Sequence, residues 1–339
     1  LTRNRDTAMA LGEPALIARF QLYFGHCQWV FGLFDQAADT FTNAVELNKA
    51  ADSDVDAGPA YCMLQWADLY LGNLEQTIAW QEPALQRLRP HFELRWYSWS
   101  LAAASAAYSW TGRWSEAVTE AQKEISVAED YHDNSLGTFA YFIASIAYAC
   151  KGDFVKAIEH AEVAVEKAPT LADKIWAQTF LGFAWCRGGQ ALKAADLLAS
   201  LVPIYDAAQF VAAQVFARAY LGEAYWRAGQ LDLAEQTLQK GLELASRTGM
   251  KFFAGCVRRL QGEVALDRNS RQVAEPFAAP HFEAAISILR DIKAENELAF
   301  AYAGCGRLNK QQGRAAEARD YFTRALAIFE RLGTLVEPD

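Results

Sequence analysis

The sequence predicts an all-α protein, an α-α superhelix of about eight helical hairpins. The first observation is a turn motif, Gly-x-aromatic-x-x-Ala, which occurs at Gly32, Gly112 and Gly152. Weaker copies of this turn begin at Gly72, Gly189, Gly229 and Gly313. The second observation is spacing, because the steps between these glycines are 40, 40, 40, 37, 40 and 84 residues. The third is that apolar residues between the turns recur at helical spacing, without the alternation of a strand. A fixed period of this size is typical of stacked repeats.

The chain begins with residues 1–12, which we interpret as the remnant of a preceding helix that Gly12 and Pro14 end. The first predicted hairpin pairs a helix at 15–32 with an amphipathic helix at 35–50. The helix pairs predicted after it are 61–70 with 75–88, 94–110 with 115–129, 138–150 with 155–167, 171–186 with 192–201, and 208–227 with 231–247.

The seventh hairpin departs from this pattern. Its first helix is predicted at 251–266, but the turn glycine is absent and the loop runs through Pro276 and Pro280. Two prolines this close together exclude a continuous helix, so the second helix is expected to resume at His281. This insertion accounts for the step of 84 residues, and a final pair at 294–312 and 315–332 completes the array.

We therefore expect one continuous domain over residues 1–339. The predicted repeats are 15–53, 54–93, 94–133, 134–170, 171–207, 208–250, 251–293 and 294–332. In most repeats a small residue precedes the turn glycine by seven positions and an Ala follows it by five, as Gly222 and Ala234 do around Gly229. Helices that pack 8–10 Å apart need small residues at such positions.

Composition narrows the classes of function. A net charge of −9 argues against nucleic-acid binding, which needs a clustered basic face. No long uncharged apolar run predicts a membrane span, and the first residues lack the apolar core of a signal peptide. The six cysteines are dispersed without paired spacing, which favours a reducing cytoplasm over a disulfide-rich secreted protein.

The repeats resemble the tetratricopeptide repeat (TPR) family over nearly the whole chain. The family pairs a small residue and an aromatic on the first helix with Ala, a large apolar residue and Ala on the second. The last repeat carries Gly313, Ala318, Phe322 and Ala325, and the sixth carries Gly222, Tyr225, Ala234 and Leu238. The resemblance implies a right-handed superhelix whose first helices line the concave surface. The period of about 40 residues exceeds the usual 34, so longer helices or loops are expected.

Arrays with this longer period look like the C-terminal halves of bacterial signalling ATPases, some linked to class III adenylate cyclase domains. The segment 294–339 and the loop at 11–14 carry this similarity. It implies a regulatory module, and the Leu at position 1 leads us to expect a fragment of a longer protein. The chain itself contains no ATPase or cyclase motif, so neither activity is expected from it.

No reactive constellation predicts an enzyme. The chain contains no Gly-x-x-x-x-Gly-Lys-Ser/Thr, no Gly-x-Ser-x-Gly and no His-Glu-x-x-His. No two histidines share an i, i+4 face, so neither a metal nor another cofactor is expected. Carboxylate pairs such as Glu120 with Glu124 lie on second helices, where we expect a solvated convex face.

The concave face is the predicted partner or ligand groove. Its predicted residues are Tyr23, Trp29, Trp66, Trp99, Trp110, Phe139, Phe142, Trp176, Phe180, Phe183, Tyr220, Trp226, Arg187, Arg227 and Arg259. The same placement adds Arg19, His26, Met63, Phe216, Glu223, Glu263 and Arg307. Two alternatives remain open: the aromatic residues fill space between successive helices, or tight curvature closes the groove on itself.

The leading hypothesis is a non-enzymatic regulatory module of a cytoplasmic signalling protein. Its groove would bind a protein, a peptide, a small apolar effector or upstream domains of the same polypeptide, because a continuous aromatic surface needs an occupant. The second hypothesis is a free-standing adaptor, scaffold or chaperone-like peptide-binding protein. No nucleic acid or membrane partner is expected.

Overall fold

The computed structural model describes residues 4–10, 12–53, 56–88, 93–269 and 277–335, where every regular element is a helix. In chain order the helices are α1 (Arg5–Ala10), α2 (Pro14–Val30), α3 (Phe34–Ala50), α4 (Ala57–Leu71), α5 (Leu74–Ala79), α6 (Gln81–Arg87), α7 (Leu94–Thr111), α8 (Trp114–Asp130), α9 (Asn134–Lys151), α10 (Phe154–Lys167), α11 (Leu171–Arg187), α12 (Ala191–Ala208), α13 (Val211–Arg227), α14 (Leu231–Thr248), α15 (Lys251–Asn269), α16 (Ala278–Asp291), α17 (Glu295–Gln311) and α18 (Ala315–Leu332). The prediction of an all-α array of helical hairpins is confirmed.

The hairpins form two layers. Every residue of α4 is buried, whereas α10 buries only the stripe Ala157, Ala161 and Ala164. First helices also pack on the first helices of neighbouring hairpins, as α9 does on α7 and α11. The first helices therefore form the inner layer of the superhelix, and the second helices form its outer layer.

Close approach within a hairpin depends on the small residues that the sequence predicts. A Cβ atom added to Gly222 in α13 would lie 2.4 Å from Cδ2 of Leu238 in α14. Ala234 of the same hairpin is fully buried. Gly229 has φ +74° in the turn between the two helices, a conformation that glycine adopts without steric cost.

Successive turns of the superhelix touch each other. The ring of Trp110 in α7 stacks on that of Phe252 in α15, 142 residues later, with 4.1 Å between centroids. The backbone N–H of Leu335 donates a hydrogen bond of 2.8 Å to the carbonyl of Lys151, at the end of α9. Tight curvature thus closes the concave surface into an interior space, as one of the two alternatives anticipated.

Two predicted helices that contain a proline differ in extent from the prediction. The helix predicted at 75–88 is broken at Trp80 into α5 and α6, since Pro83 lacks the N–H that would continue the ladder. The helix predicted at 192–201 instead continues to Ala208 with Pro203 inside it. The lengthened loop predicted in the seventh hairpin lies mostly outside the described residues.

The expectation that Glu120 and Glu124 are solvated is wrong. Glu124 is fully buried against α7 of its own hairpin, whereas Glu120 faces α6 of the preceding hairpin. Oε1 of Glu124 accepts a hydrogen bond of 2.7 Å from the hydroxyl of Ser98. Glu120 accepts one of 2.6 Å from Nε2 of Gln81. Both carboxyl groups therefore contribute polar contacts between helices.

Candidate ligand-binding cavity

A cavity of about 290 Å³ occupies the interior of the superhelix. First helices from both superhelical turns supply its wall, together with the segment that precedes α13. The aromatic lining residues are Trp29, Trp66, Tyr70, Trp99, Trp110, Phe139, Phe142, Trp176, Phe180, Phe210, Phe216, Tyr220 and Phe253. The cavity is of the size and apolar character of small-molecule sites, at the lower end of their usual volume range.

The aromatic wall is itself a packed cluster. Phe142 stacks on Phe180 with 4.5 Å between centroids, and its edge meets Phe139 at 4.6 Å. Trp99 stacks on Phe139 at 5.9 Å, and Trp66 approaches both of them. These offset and edge-to-face contacts are the favourable geometries for aromatic pairs, so the wall is largely preformed.

Most of the predicted groove residues lie together in this cavity. Nine of them line it: Trp29, Trp66, Trp99, Trp110, Phe139, Phe142, Trp176, Phe180 and Tyr220. Phe183 lies behind Tyr220, with 4.4 Å between the ring centroids. Buried residues of this set, such as Phe142, which is 2 % exposed, also fill space between helices. The same side chains therefore form the cavity wall and part of the hydrophobic core.

Two of the predicted aromatic residues lie elsewhere. Tyr23 is 56 % exposed on α2, and it does not line the cavity because α2 turns a different face inward at Trp29. Trp226 lies at the end of α13, where its Nε1 donates a hydrogen bond of 2.8 Å to Asp267. These positions follow the same spacing as the cavity residues but fall outside the enclosed part of the inner layer.

Several lining residues were not predicted. Tyr70 follows Trp66 by one helical turn, so an i, i+4 search on α4 would have found it. Phe210 precedes α13 in a connecting segment, and Phe253 comes from the next superhelical turn. The sequence pattern of a single repeat does not mark either of these two residues as part of the cavity.

One side of the cavity has a polar rim. The exposed side chain of Arg95 lies there with the half-buried Ser135 and Asp173. The hydroxyl of Ser135 donates a hydrogen bond of 3.1 Å to Oδ1 of Asp173. Asp173 also accepts one of 2.7 Å from Thr170, the residue that caps α11. The rim therefore carries one positive and one negative side chain.

A buried ion-pair network lies beyond Tyr220 and brings together the predicted arginines. Nε of Arg187 is 2.7 Å from Oε1 of Glu223, and its Nη2 is 3.0 Å from Oε1 of Glu297. Arg259 donates from Nε to Oε2 of Glu297 at 2.8 Å, and Arg227 donates from Nε to Glu223 at 3.0 Å. The network thus joins α11, α13, α15 and α17.

Both carboxyl groups of this network are ionised at neutral pH. Burial alone would raise the pKa of Glu223, but the guanidinium groups of Arg187, Arg227 and Arg259 outweigh it and lower that pKa to about 2. The pKa of Glu297 is lowered in the same way, by Arg259 and Arg187 against the effect of burial. The network therefore consists of full charges held away from water.

The described residues hold no group of three or more His, Cys, Asp or Glu side chains that could bind a metal ion. Within the same ranges no helix has the length and apolar character needed to cross a bilayer. The cavity therefore combines an apolar volume with a polar rim, and the buried ion-pair network lies beyond its wall at Tyr220.

Comparison with known proteins supports the fold. No family model and no curated protein matches the sequence. Among solved structures, the chain is similar to a Rap protein complexed with competence and sporulation factor, at 13% identity and a TM-score of 0.66, over 93% of this chain and 98% of that one. It is also similar to the Rap conjugation gene regulator of plasmid pLS20 in complex with the Phr* peptide, at 13% identity and a TM-score of 0.60, over 95% and 98% of the two chains.

A third similar structure is aspartyl phosphate phosphatase F from Bacillus subtilis, at 12% identity and a TM-score of 0.54, over 88% of this chain and 78% of that one. Identities this low show a shared fold alone. The chain therefore has the TPR-like superhelical fold that its repeats predict.

Proposed function

We propose that the chain is a non-enzymatic regulatory module that binds a compact apolar effector inside its superhelix. The observation that carries this proposal is the aromatic cavity of about 290 Å³ inside the superhelix. Its volume corresponds to about ten water molecules, which would find few hydrogen-bonding partners on an aromatic wall. An apolar molecule or a single apolar side chain suits this space better than water does.

An extended peptide is a poorer occupant than a compact one. Each peptide unit carries an N–H and a C=O that need partners when buried. The wall offers few polar side chains, and those of Arg95, Ser135 and Asp173 lie together at the rim. A peptide could place a terminus or one side chain in the cavity, whereas its remaining backbone would have to stay outside.

The position of the cavity suggests how binding would be relayed. Trp66 and Trp99 belong to the first turn of the superhelix, whereas Phe216 and Phe253 belong to the second. An effector that contacts both turns favours the closed form over an open one, which is a shift of population between two shapes. In this proposal the closed form signals to an ATPase or cyclase domain of a longer cytoplasmic protein.

A peptide-binding adaptor is the second candidate. The two Rap structures described above were solved with a bound factor or peptide, and both share this superhelical fold. In that reading the effector would be a peptide whose apolar side chain enters the cavity.

The test uses N-phenyl-1-naphthylamine, a neutral dye that fluoresces in apolar surroundings. The parent chain is expected to bind it saturably, with one dye per chain. Ala106 is 4 % exposed on the cavity wall, so Ala106→Leu should narrow the cavity and weaken dye binding while circular dichroism stays unchanged. Ala50→Leu, at an exposed position on α3, is the matched control and should bind like the parent.

Absence of saturable dye binding to the folded parent would refute the cavity as a ligand site. Dye binding as tight to a folded Ala106→Leu variant as to the parent would refute the location of the dye in this cavity. Peptides that compete with the dye more strongly than compact apolar molecules would favour the adaptor.

A further inference from the structure

The floor of the cavity contains a second, much smaller space. It measures about 20 Å³, which is enough for one water-sized group. Trp110, Ile146, Tyr220 and Phe253 line both this space and the main cavity. Only side chains therefore separate the apolar volume from the buried ion-pair network.

Arg259 presents an unused hydrogen-bond donor at this floor. Its side chain is 3 % exposed and lines the small space. Nε is bonded to Glu297, but the buried Nη2 has no hydrogen-bond partner within the described part of the chain. Cζ of Arg259 lies 5.6 Å from the ring centroid of Phe300, and this cation–π contact supplies no hydrogen-bond acceptor for Nη2. A buried donor without an acceptor is unfavourable.

The charges of the ion-pair network do not balance among its five side chains. Arg187, Arg227 and Arg259 supply three positive charges, whereas Glu223 and Glu297 supply two negative ones. The network therefore carries an excess of 3 − 2, one positive charge, with Arg227 at its 35% exposed edge and the other four side chains around the small space. At the rim, by contrast, Asp173 offsets Arg95, so that side carries no excess charge.

We propose that the effector is a monoanionic acid with an aromatic or apolar body, and that one oxygen of its acid group accepts a hydrogen bond from Nη2 of Arg259. This inference rests on the proposed function, because it assigns the chemistry of the ligand bound in the same cavity. The body fills the aromatic volume, and the acid oxygen takes the water-sized space at the floor. The single negative charge then balances the network, and charge-assisted hydrogen bonds of this kind are among the strong ones.

The test compares two competitors that differ in charge but hardly in shape. 2-Naphthoate is an anion at neutral pH, whereas 2-naphthamide is its neutral counterpart. Each is titrated against bound N-phenyl-1-naphthylamine on the parent chain. The naphthoate is expected to displace the dye at a concentration lower by about tenfold or more, because a carboxylate oxygen accepts a stronger hydrogen bond from a guanidinium N–H than an amide oxygen does.

Variants at the floor should move this preference in opposite directions. Arg259→Met removes the donor and the excess charge, so naphthoate should lose its advantage. Glu297→Gln raises the excess positive charge, so naphthoate should gain. Arg324→Met makes the same change in net charge at an exposed ion pair on α18 and should leave the preference unchanged. Where Arg259→Met fails to fold, Arg259→Gln serves instead, since it removes the positive charge and keeps a polar group that can pair with Glu297.

The outcomes separate the two proposals. If the dye binds the parent but both competitors displace it equally, the inference of an acidic effector is refuted, whereas the cavity remains a ligand site. The small space would then hold only water. A preference for naphthoate that survives in a folded Arg259 variant also refutes the inference. If the dye itself does not bind, the proposed function fails and this inference fails with it.

Discussion

Trp110 and Phe252 stack face to face, with 4.1 Å between ring centroids and 4° between ring planes. Both rings are buried, and they join α7 of the first superhelical turn to α15 of the second. This contact fixes the distance between two turns that share no hairpin. Closure of the cavity therefore depends on contacts between residues far apart in sequence.

The first prediction concerns the energy of this stacked pair. Trp110→Leu and Phe252→Leu should each destabilise the protein, and the double variant should lose less than the sum. Aromatic pairs contribute about 0.5–1.5 kcal/mol beyond their buried area, which is the coupling we expect in a double-mutant cycle of urea unfolding. In a control cycle between Trp110→Leu and Phe34→Leu, whose rings do not contact each other in the described structure, the two losses of stability should be additive within about 0.5 kcal/mol. Zero coupling for the stacked pair would contradict its role in closure.

The second prediction separates backbone strain from crowding between turns. Gly32 and Gly229 both have φ +74°, so Ala at either position should cost about 1–2 kcal/mol. A Cβ at Gly32 would also lie 2.9 Å from Cγ1 of Val211 and 3.1 Å from Cγ2 of Thr248, whereas one at Gly229 would meet nothing within 4 Å. Both neighbours are β-branched and stiff, so Gly32→Ala should lower the free energy of unfolding by a further ~1–3 kcal/mol.

Thermal unfolding of the two glycine variants measures this difference. Gly229→Ala is the control because it carries the strain without the crowding. Equal destabilisation by the two substitutions would show that the turns adjust freely, which would argue against a tightly closed superhelix.

These contacts show what could be predicted from the sequence and what could not. The period and the turn glycines predict the hairpins, because each repeat carries its own signal. Trp66 and Trp99 could be assigned to one inner face because helical spacing defines that face. Phe253 could not be assigned, since curvature accumulates from small rotations between repeats and no single repeat records it.

Buried charge was the other part that resisted prediction. Glu124 lies on a second helix among other charged residues, although the positions 40 residues before and after it carry the buried Ala84 and Ala164. Only the packing of α8 on α7 brings it to Ser98. Likewise Arg187 meets Glu297 across 110 residues, a pairing that no local pattern specifies.

The third prediction compares two arginines that contact the same carboxylate oxygen. Arg187 and Arg227 both place Nε within 3.0 Å of Oε1 of Glu223, but their side chains are 8% and 35% exposed. Arg187→Met breaks a buried network and should cost about 3–5 kcal/mol, because it leaves carboxylates without their partner. Arg227→Met, the matched control at the exposed edge, should cost about 1 kcal/mol or less. Urea unfolding of both variants decides the point, and equal costs would contradict the burial of the network.

The last prediction concerns pH and the carboxyl group of Glu124. Burial raises its pKa well above the usual value, and the hydrogen bond from Ser98 only partly opposes this. Upward from about pH 4.3, the ordinary value for Glu, the folded state keeps a proton that the unfolded state releases. The free energy of unfolding should therefore fall as pH rises, by up to about 1.4 kcal/mol per pH unit, until the pH passes the folded pKa.

Glu124→Gln isolates this effect, because the amide resembles the protonated acid in shape and does not titrate. The variant should be more stable than the parent at about pH 7.5, and the difference should shrink as the pH approaches about 4.3. Glu223 does not affect this comparison. Because its pKa is lowered, its contribution to the free energy of unfolding changes only at pH values below this range. Glu46→Gln, an exposed position on α3, is the control and should keep the slope of the parent. If urea unfolding gave Glu124→Gln and the parent the same pH dependence, Glu124 would have to be ionised in the folded protein, and its burial against α7 would be wrong.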